Sequence, residues 1–393
     1  MAEVSVLKEK IRTVLPDIVE LRHQLHQIPE IAFKEYKTSA KIREYLSRLG
    51  LQLLPTTLGT DVTALLVGEK PGPVILLRSD IDALPIEEGT GLPYASRHPG
   101  FSHACGHDGH MASVLGAAAV LSQVKDLISG TVKFLFQPAE ESDAGAKVLI
   151  EAGYLEQEPK PEIAFSFHGW PGIPFGTVEC CHGPIMANTD DFEITLSGSG
   201  GHGAMPEKAQ DLIEAASKFI LDMKQAAREI STPENPAVIS VCSVSAGGVF
   251  NVFPARLVMR GTTRFLKDET GVRIKKAMKS SLDKHVLSIG AHYVVEAPKP
   301  DYLSVETAPV LYQRAAAVTA KYLGKDKWNG EGVCSMCGDD FGFISRKIPS
   351  LYFHLGMGED SPSLHNPAYM FKDEALESAI LMLCGLVLEQ KNI

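Results

Sequence analysis

Apolar residues first recur at helical spacing in MAEVSVLKEKIRTVLPDIVELRHQL, and a second helix is expected near residues 39–49. The chain then alternates apolar strands, VTALLVG and PVILLRSDID, with helical stretches such as GHMASVLGAAAVLSQV. That alternation predicts an α/β domain with a mostly parallel sheet flanked by helices. The apolar runs TVKFLFQP and IAFSFHGW end in polar groups, and ligands of open α/β sheets bind at strand carboxyl ends. From Asp190 the order changes to strand DFEITLSG, helix DLIEAASKFILDMKQAAREI, strands AVISVCSVSA and ARLVMRGTTR, helix ETGVRIKKAMKSSLDKHV and strand HYVVEAP. This is the β-α-β-β-α-β order of an α+β ferredoxin-like unit. Residues suited to metal resume only at His365, so the unit reads as an insertion over 188–298, and the first domain is discontinuous over 1–187 and 299–393.

Composition narrows the partners. Hydrophobic residues at 45% and charged residues at 22% are those of a folded globular chain. A formal charge of −10 argues against a nucleic-acid or anionic-membrane surface and for a small-molecule partner. The first helix mixes charges and does not read as a signal peptide. No run reaches the roughly 18 uncharged apolar residues of a membrane span; residues 114–124 are broken by Gly116 and Ser122. A cytoplasmic protein is expected, and its seven cysteines then favour reduced thiols over a disulfide framework.

The densest chemistry is HACGHDGH at 103–110, with Cys105 and His107 two apart. Thiolate and imidazole suit zinc, manganese, cobalt or nickel. A single histidine there is more often a solvated or capping group; the cluster reverses those odds. QPAEES at 137–142 sets Glu140 beside Glu141 after an apolar strand. Neighbouring extended residues point oppositely, so one carboxylate can bind metal while the other faces the water it activates. His168 in FHGWPG and His365 in SLHNP, isolated histidines in loops, complete a set of five ligands, more than one structural zinc uses. Two ions sharing a bridging ligand account for the number.

Taken in order, LRHQLHQIPEIAFKEYKTS at 21–39, LRSDIDALPIEE at 77–88, HACGHDGH, QPAEE, FHGWP, SGGHGAMP at 199–206, NVFP at 251–254 and LHNP at 364–367 make the chain resemble the M20 metallopeptidase family over nearly its whole length. The similarity is to its amidohydrolase branch of hippurate hydrolases, N-acyl-amino-acid aminoacylases and auxin-conjugate hydrolases. The resemblance implies two divalent ions per subunit, manganese or zinc ahead of cobalt or nickel, held by Cys105, His107, Glu141, His168 and His365, with the Cys105 thiolate as bridge. It makes Glu140 the general base and Asp82 the acid that orients a ligating histidine. Asp80 stands where exopeptidase relatives carry a metal-binding histidine, a loss for which Cys105 compensates. The inserted unit becomes a lid and dimerisation domain. His202 would reach a partner subunit's active site to stabilise the oxyanion, and Asn251 and Arg264 would hold the substrate carboxylate, a task suited to a planar guanidinium.

The implied activity is hydrolysis of the amide bond of N-acyl amino acids, by a homodimer or a dimer-based oligomer. A dipeptidase or carboxypeptidase of the same family is the alternative, disfavoured by Asp80-x-Asp82 in place of His-x-Asp. Gly198, Gly200 and Gly203 also satisfy G-x-G-x-x-G, which keeps a nicotinamide-dependent oxidoreductase as a remote reading. A metal scaffold without catalysis is argued against by Glu140 beside Glu141. Glu207 after Met205-Pro206 and MCGDDFG at 336–342 depart from the family pattern and bear on substrate preference. Cys334 and Cys337 are spaced C-x-x-C without a second pair and receive no function.

Overall fold

The strand Lys70–Asp80 passes from exposed at Lys70 to wholly buried at Asp80, carrying the chain from surface to centre. In the computed structural model, which describes residues 2–332 and 334–390, it belongs to the first of two compact units. That unit comprises the chain up to Ile185, Val305–Cys334 and the chain from Asp340; the second comprises Met186–Ser304 and Ser335–Asp339.

Among the described residues the first unit holds an eight-stranded sheet in the order Gln52–Leu53, Val62–Val67, Ser129–Gln137, Lys70–Asp80, Ile163–Trp170, Ser350–Gly356, Val178–Glu179, Trp328–Asn329. Its four middle members run parallel. Ile75, Leu76 and Leu77, Phe134, Leu135 and Phe136, and Ala164 and Phe165 are all buried there, the continuous apolar runs of strands covered on both faces. Outside that core Val62–Val67 pairs antiparallel with Ser129–Gln137, and Val178–Glu179 antiparallel with Ser350–Gly356. The sheet is therefore mixed, where mostly parallel pairing was expected. Only residues 68 and 69 separate Val62–Val67 from Lys70–Asp80. A parallel crossover takes a dozen or more residues, so the chain must reverse.

All of helix His107–Leu121 is buried, and it packs between Ala2–His26 and Ala375–Leu388. Small residues permit this. A Cβ at Gly109 would lie 2.0 Å from the Phe371 ring and one at Gly116 2.4 Å from Ile380. The helix can thus approach its neighbours only as glycine and alanine allow.

The second unit orders its elements strand Asn188–Ser197, helix Leu212–Ile230, strands Ala237–Ala246 and Arg256–Phe265, helix Asp268–His285, strand His292–Glu296. Its four strands pair antiparallel in the order Ala237–Ala246, Arg256–Phe265, Asn188–Ser197, His292–Glu296. Burial alternates along Asn188–Ser197, so Phe192, Ile194 and Leu196 meet Phe219 and Leu282 of the helices on one face.

Candidate metal centre

The carboxyl ends of the parallel strands and the start of helix His107–Leu121 bring the acids and histidines of the first unit together. Gly106, at φ 88°, precedes the helix, so Cys105 and His107 flank a left-handed turn that glycine adopts without strain. His168 lies in the strand Ile163–Trp170, where a loop was expected, paired in register with His354. His365 also takes a left-handed backbone, φ 63°, and its N–H donates to the Ala104 carbonyl, next to Cys105.

The two glutamates depart from the alternation argument. Glu140–Asp143 is a short helix and not extended chain, bounded by Ala139 and Ala144 at φ 60° and 49°. The carboxylates therefore diverge by helical rotation. Glu35, which sequence reasoning missed although it lies inside the 21–39 segment, accepts from the N–H groups of Phe33 and Ala139, both at 3.0 Å, and so secures the turn before Glu140. Burial first, and then neighbouring Asp82, push its carboxyl up to about 7.

Distances within the cluster match the spacing of ligands around one metal ion. Cys105 Sγ is 3.3 Å from His168 Nε2, His107 Nε2 is 3.7 Å from Glu141 Oε1, and His365 Nε2 is 3.4 Å from Glu141 Oε2. Two nitrogen or oxygen ligands at about 2.1 Å on a tetrahedral ion are separated by about 3.4 Å, and a thiolate and an imidazole by about 3.6 Å. These contacts are therefore of coordination length. His107 Nε2 and Glu141 Oε1 are moreover buried with no hydrogen-bond partner among the described residues, which is costly unless something else satisfies them. The groups Cys105–His107–His168 and Cys105–Glu141–His365 share Cys105 and each lie within 4.8 Å, so one thiolate could serve both halves of a dinuclear site.

Neighbours fix which atoms point inward. His107 Nδ1 donates to the Asp82 carbonyl at 2.8 Å and lies 3.4 Å from Asp82 Oδ1, leaving Nε2 as the nitrogen that faces the cluster. Asp82 Oδ2 accepts the Glu141 N–H at 2.9 Å, so this one residue positions both an imidazole and a carboxylate. His168 Nδ1 donates to the Gly169 carbonyl, which leaves its Nε2 facing Cys105. His110, at 5.4 Å from His107 between ring centroids, is turned away: its Nδ1 bonds Asp80 Oδ1 at 2.8 Å and its Nε2 accepts from the Gly169 N–H. Asp80 in turn takes Arg78 at 2.9 Å, and Arg78 reaches Asp340.

The electrostatics suit a dication. Burial disfavours the His107 imidazolium, but Asp80, Asp82 and Glu141 outweigh it and push the ring up to about 10. Burial and the carboxylates of Glu141 and Glu140 push the Cys105 thiol well up. Burial holds the His168 ring well below its ordinary range, with His110 adding to it. Burial favours the protonated Glu141, yet the His365 and His107 rings together hold its carboxyl low. A concentration of buried negative charge that raises the proton affinity of its own ligands is what a bound dication relieves.

Beneath the centre Asp108, adjacent to His107, accepts from Arg22 at 2.6 Å and His26 at 2.9 Å, and Arg22 continues to Asp373 at 2.5 Å. Burial opposes ionisation of Asp108, but His26 and Arg22 hold its carboxyl far below the usual range. None of this network stood out in the sequence. Its partners lie from 82 to 351 residues apart.

In the second unit His202 sits exposed on a two-residue strand paired with Val252–Phe253, and the Gly203 N–H donates to the Asn251 carbonyl at 2.8 Å. These two residues are neighbours. Arg264 lies on the four-stranded sheet, bonded to Thr262 and to the Thr263 carbonyl and 3.5 Å from Asp191. The glycine run that imitated a dinucleotide motif leads into this ribbon: a Cβ at Gly203 would lie 3.0 Å from the Asn251 carbonyl oxygen, and the next α-helix starts only at Leu212, capped by Asp211. Its strand pairs only antiparallel, which removes the parallel βαβ frame of the oxidoreductase reading. No helix among the described residues is long and apolar enough to cross a membrane.

Residues 76–389 match the family model described as peptidase family M20/M25/M40. The chain is 37% identical over 364 residues to an N-acetylcysteine deacetylase of Bacillus subtilis, covering 92% of this chain and 93% of the relative. It is 32% identical over 398 residues to an N-acetyldiaminopimelate deacetylase of Lactobacillus acidophilus, covering 98% and 100%. Its fold superposes on a dinuclear metal-binding M20 peptidase of Bacillus subtilis with TM-score 0.83 at 33% identity, covering 96% and 98%. Given a buried cluster of ligand-length contacts, a model match across most of its length and these relatives, the chain belongs to the M20 peptidase family.

Proposed function

We propose that the protein is a binuclear-metal amidohydrolase that cleaves N-acyl amino acids to a carboxylic acid and a free amino acid. The observation that carries this reading is the convergence of Cys105, His107, Glu141, His168 and His365 at coordination distances, with Glu140 in the same cluster. When bound there, divalent ions, manganese or zinc ahead of cobalt or nickel, supply Lewis acidity to the scissile carbonyl and lower the pKa of a water. Relatives named as deacetylases of N-acetylcysteine and N-acetyldiaminopimelate support the substrate class over dipeptides.

Glu140 acts as general base, accepting the water's proton and returning it to the leaving nitrogen, so that amide plus water becomes carboxylate plus amine. Asp82 acts through others, keeping His107 Nε2 and Glu141 aimed inward. His202 is assigned to oxyanion stabilisation in a second copy of the chain, and its exposure on a short ribbon supports that reach. Asn251 beside it and Arg264 are assigned to the substrate carboxylate. The βαββαβ unit is then a ferredoxin-like lid and dimerisation domain. Its sheet has open edges at Ala237–Ala246 and His292–Glu296, with Val244 and Val294 exposed, which supports pairing with another copy.

Elemental analysis tests the reading together with release of free amino acid from N-acetyl and N-benzoyl amino acids after addition of manganese, zinc or cobalt. Two ions per chain and metal-dependent release are expected. Release from dipeptides alone would move the assignment to the peptidase alternative, and absence of both metal and release would remove it.

A further inference from the structure

The C-x-x-C spacing of Cys334 and Cys337 drew attention to the wrong pair. Cys334 Sγ lies 3.3 Å from Cys181 Sγ, a residue 153 positions away, and both belong to the first unit. We propose that Cys181 and Cys334 are a thiol pair that a hydroperoxide converts to a reversible disulfide.

Geometry supplies most of the argument. A disulfide needs its sulfurs about 2.05 Å apart, so closure takes little more than about 1 Å of approach. Both cysteines lie outside helices and strands, but Cys181 is buried, with its thiol donating to the Pro184 carbonyl at 3.3 Å, whereas Cys334 is half-buried. The yielding side is therefore Cys334. Neighbouring Cys180 is held apart, its sulfur 3.3 Å from the Tyr352 carbonyl within the sheet.

The two thiols are also unequal. The contact between the two sulfurs holds the Cys334 thiol below its ordinary value, while that same contact and burial push Cys181 up. Half-buried Cys334 is the sulfur a peroxide can reach, Cys181 being buried, and is therefore the nucleophile. Its thiolate attacks a peroxide oxygen, the O–O bond breaks, and the departing oxygen takes a proton to leave as water or alcohol. The Cys181 sulfur then attacks the Cys334 sulfenic acid, the S–O bond breaks, and the Cys181 proton leaves with the hydroxide as water. Two electrons pass from the sulfurs to the peroxide, and an external dithiol reverses the step. The bond would close a loop containing all of residues 186–304, the main segment of the second unit.

The test uses the full-length, metal-loaded protein treated with stoichiometric hydrogen peroxide, alkylated and digested without reductant. A peptide joining Cys181 to Cys334, two hydrogens lighter than its separate thiol forms and released by dithiothreitol, is expected. In Cys181→Ser the sulfenic acid should persist on Cys334 and be captured by a cyclic 1,3-dione; in Cys334→Ser, a loop position, Cys181 should remain a thiol. A Cys334–Cys337 peptide in place of the Cys181 link, or recovery of both Cys181 and Cys334 as thiols after peroxide, would overturn the proposal.

Discussion

Loading the metal-free protein must displace protons, because the ligands that accept a dication are held protonated by the buried charge around them. In the metal-free state burial and two glutamates keep Cys105 a neutral thiol, and His107, pushed up to about 10 by Asp80, Asp82 and Glu141 against its burial, is an imidazolium at neutral pH. Coordination requires thiolate and neutral imidazole. His168, held low, and Glu141, also held low, have no proton to give. The balance is about two protons released per chain, with His365, which Glu141 pushes up, adding to it. The sign follows: groups whose pKa is raised in the metal-free state oppose loading at low pH, and the opposition falls as pH rises toward about 10. Each displaced proton contributes tenfold per pH unit, so the overall loading constant should rise about 100-fold between about pH 7 and pH 8, or about 2.7 kcal/mol. Competition against a chromophoric chelator at the two pH values measures it, corrected for the chelator's own protonation. Calorimetry in buffers of different ionisation enthalpy counts the protons directly. Ionisation of a bound water can only steepen the slope. A slope of one or less would refute the account of Cys105 and His107.

Glu140→Gln is expected to retain its metal and lose roughly 10² to 10⁴ in kcat; mixing it with His202→Ala should regenerate activity in hybrid dimers, and no recovery would remove the cross-subunit role of His202. Glu35 has a folded pKa of about 7, above its unfolded value, so the stability it contributes is complete below about pH 4.5 and is lost as pH rises through about 7. In metal-free protein Glu35→Gln should therefore gain on the parent by up to about 3 kcal/mol between about pH 5 and pH 8, read from urea midpoints; an unchanged difference would contradict the burial of an ionised Glu35. Arg22→Ala leaves Asp108 buried with His26 alone and should destabilise by about 3 to 5 kcal/mol. A thermal melt within a degree of the parent would show that water replaces the guanidinium.

What could be read from the chain was local and periodic. HACGHDGH concentrates ligand types within eight residues, and strand ends such as TVKFLFQP announce where polar groups collect, so the cluster was visible before its geometry. The order of elements in the second unit was visible for the same reason, since each strand and helix carries its own period. Relations between distant segments were not. Arg22 meets Asp373 across 351 residues and Cys181 meets Cys334 across 153, and no local pattern marks either member as paired. The two glutamates show how such a relation alters a local inference. Alternation along an extended chain was a sound expectation after a strand, but Ala139 adopts φ 60°, a conformation alanine seldom takes unaided. Its N–H is held by Glu35, 104 residues earlier. A side chain from the N-terminal region thus turns the backbone out of the strand and into the short helix that carries Glu140 and Glu141. The direction of the proposed base is set by a contact that no reading of QPAEES alone contains.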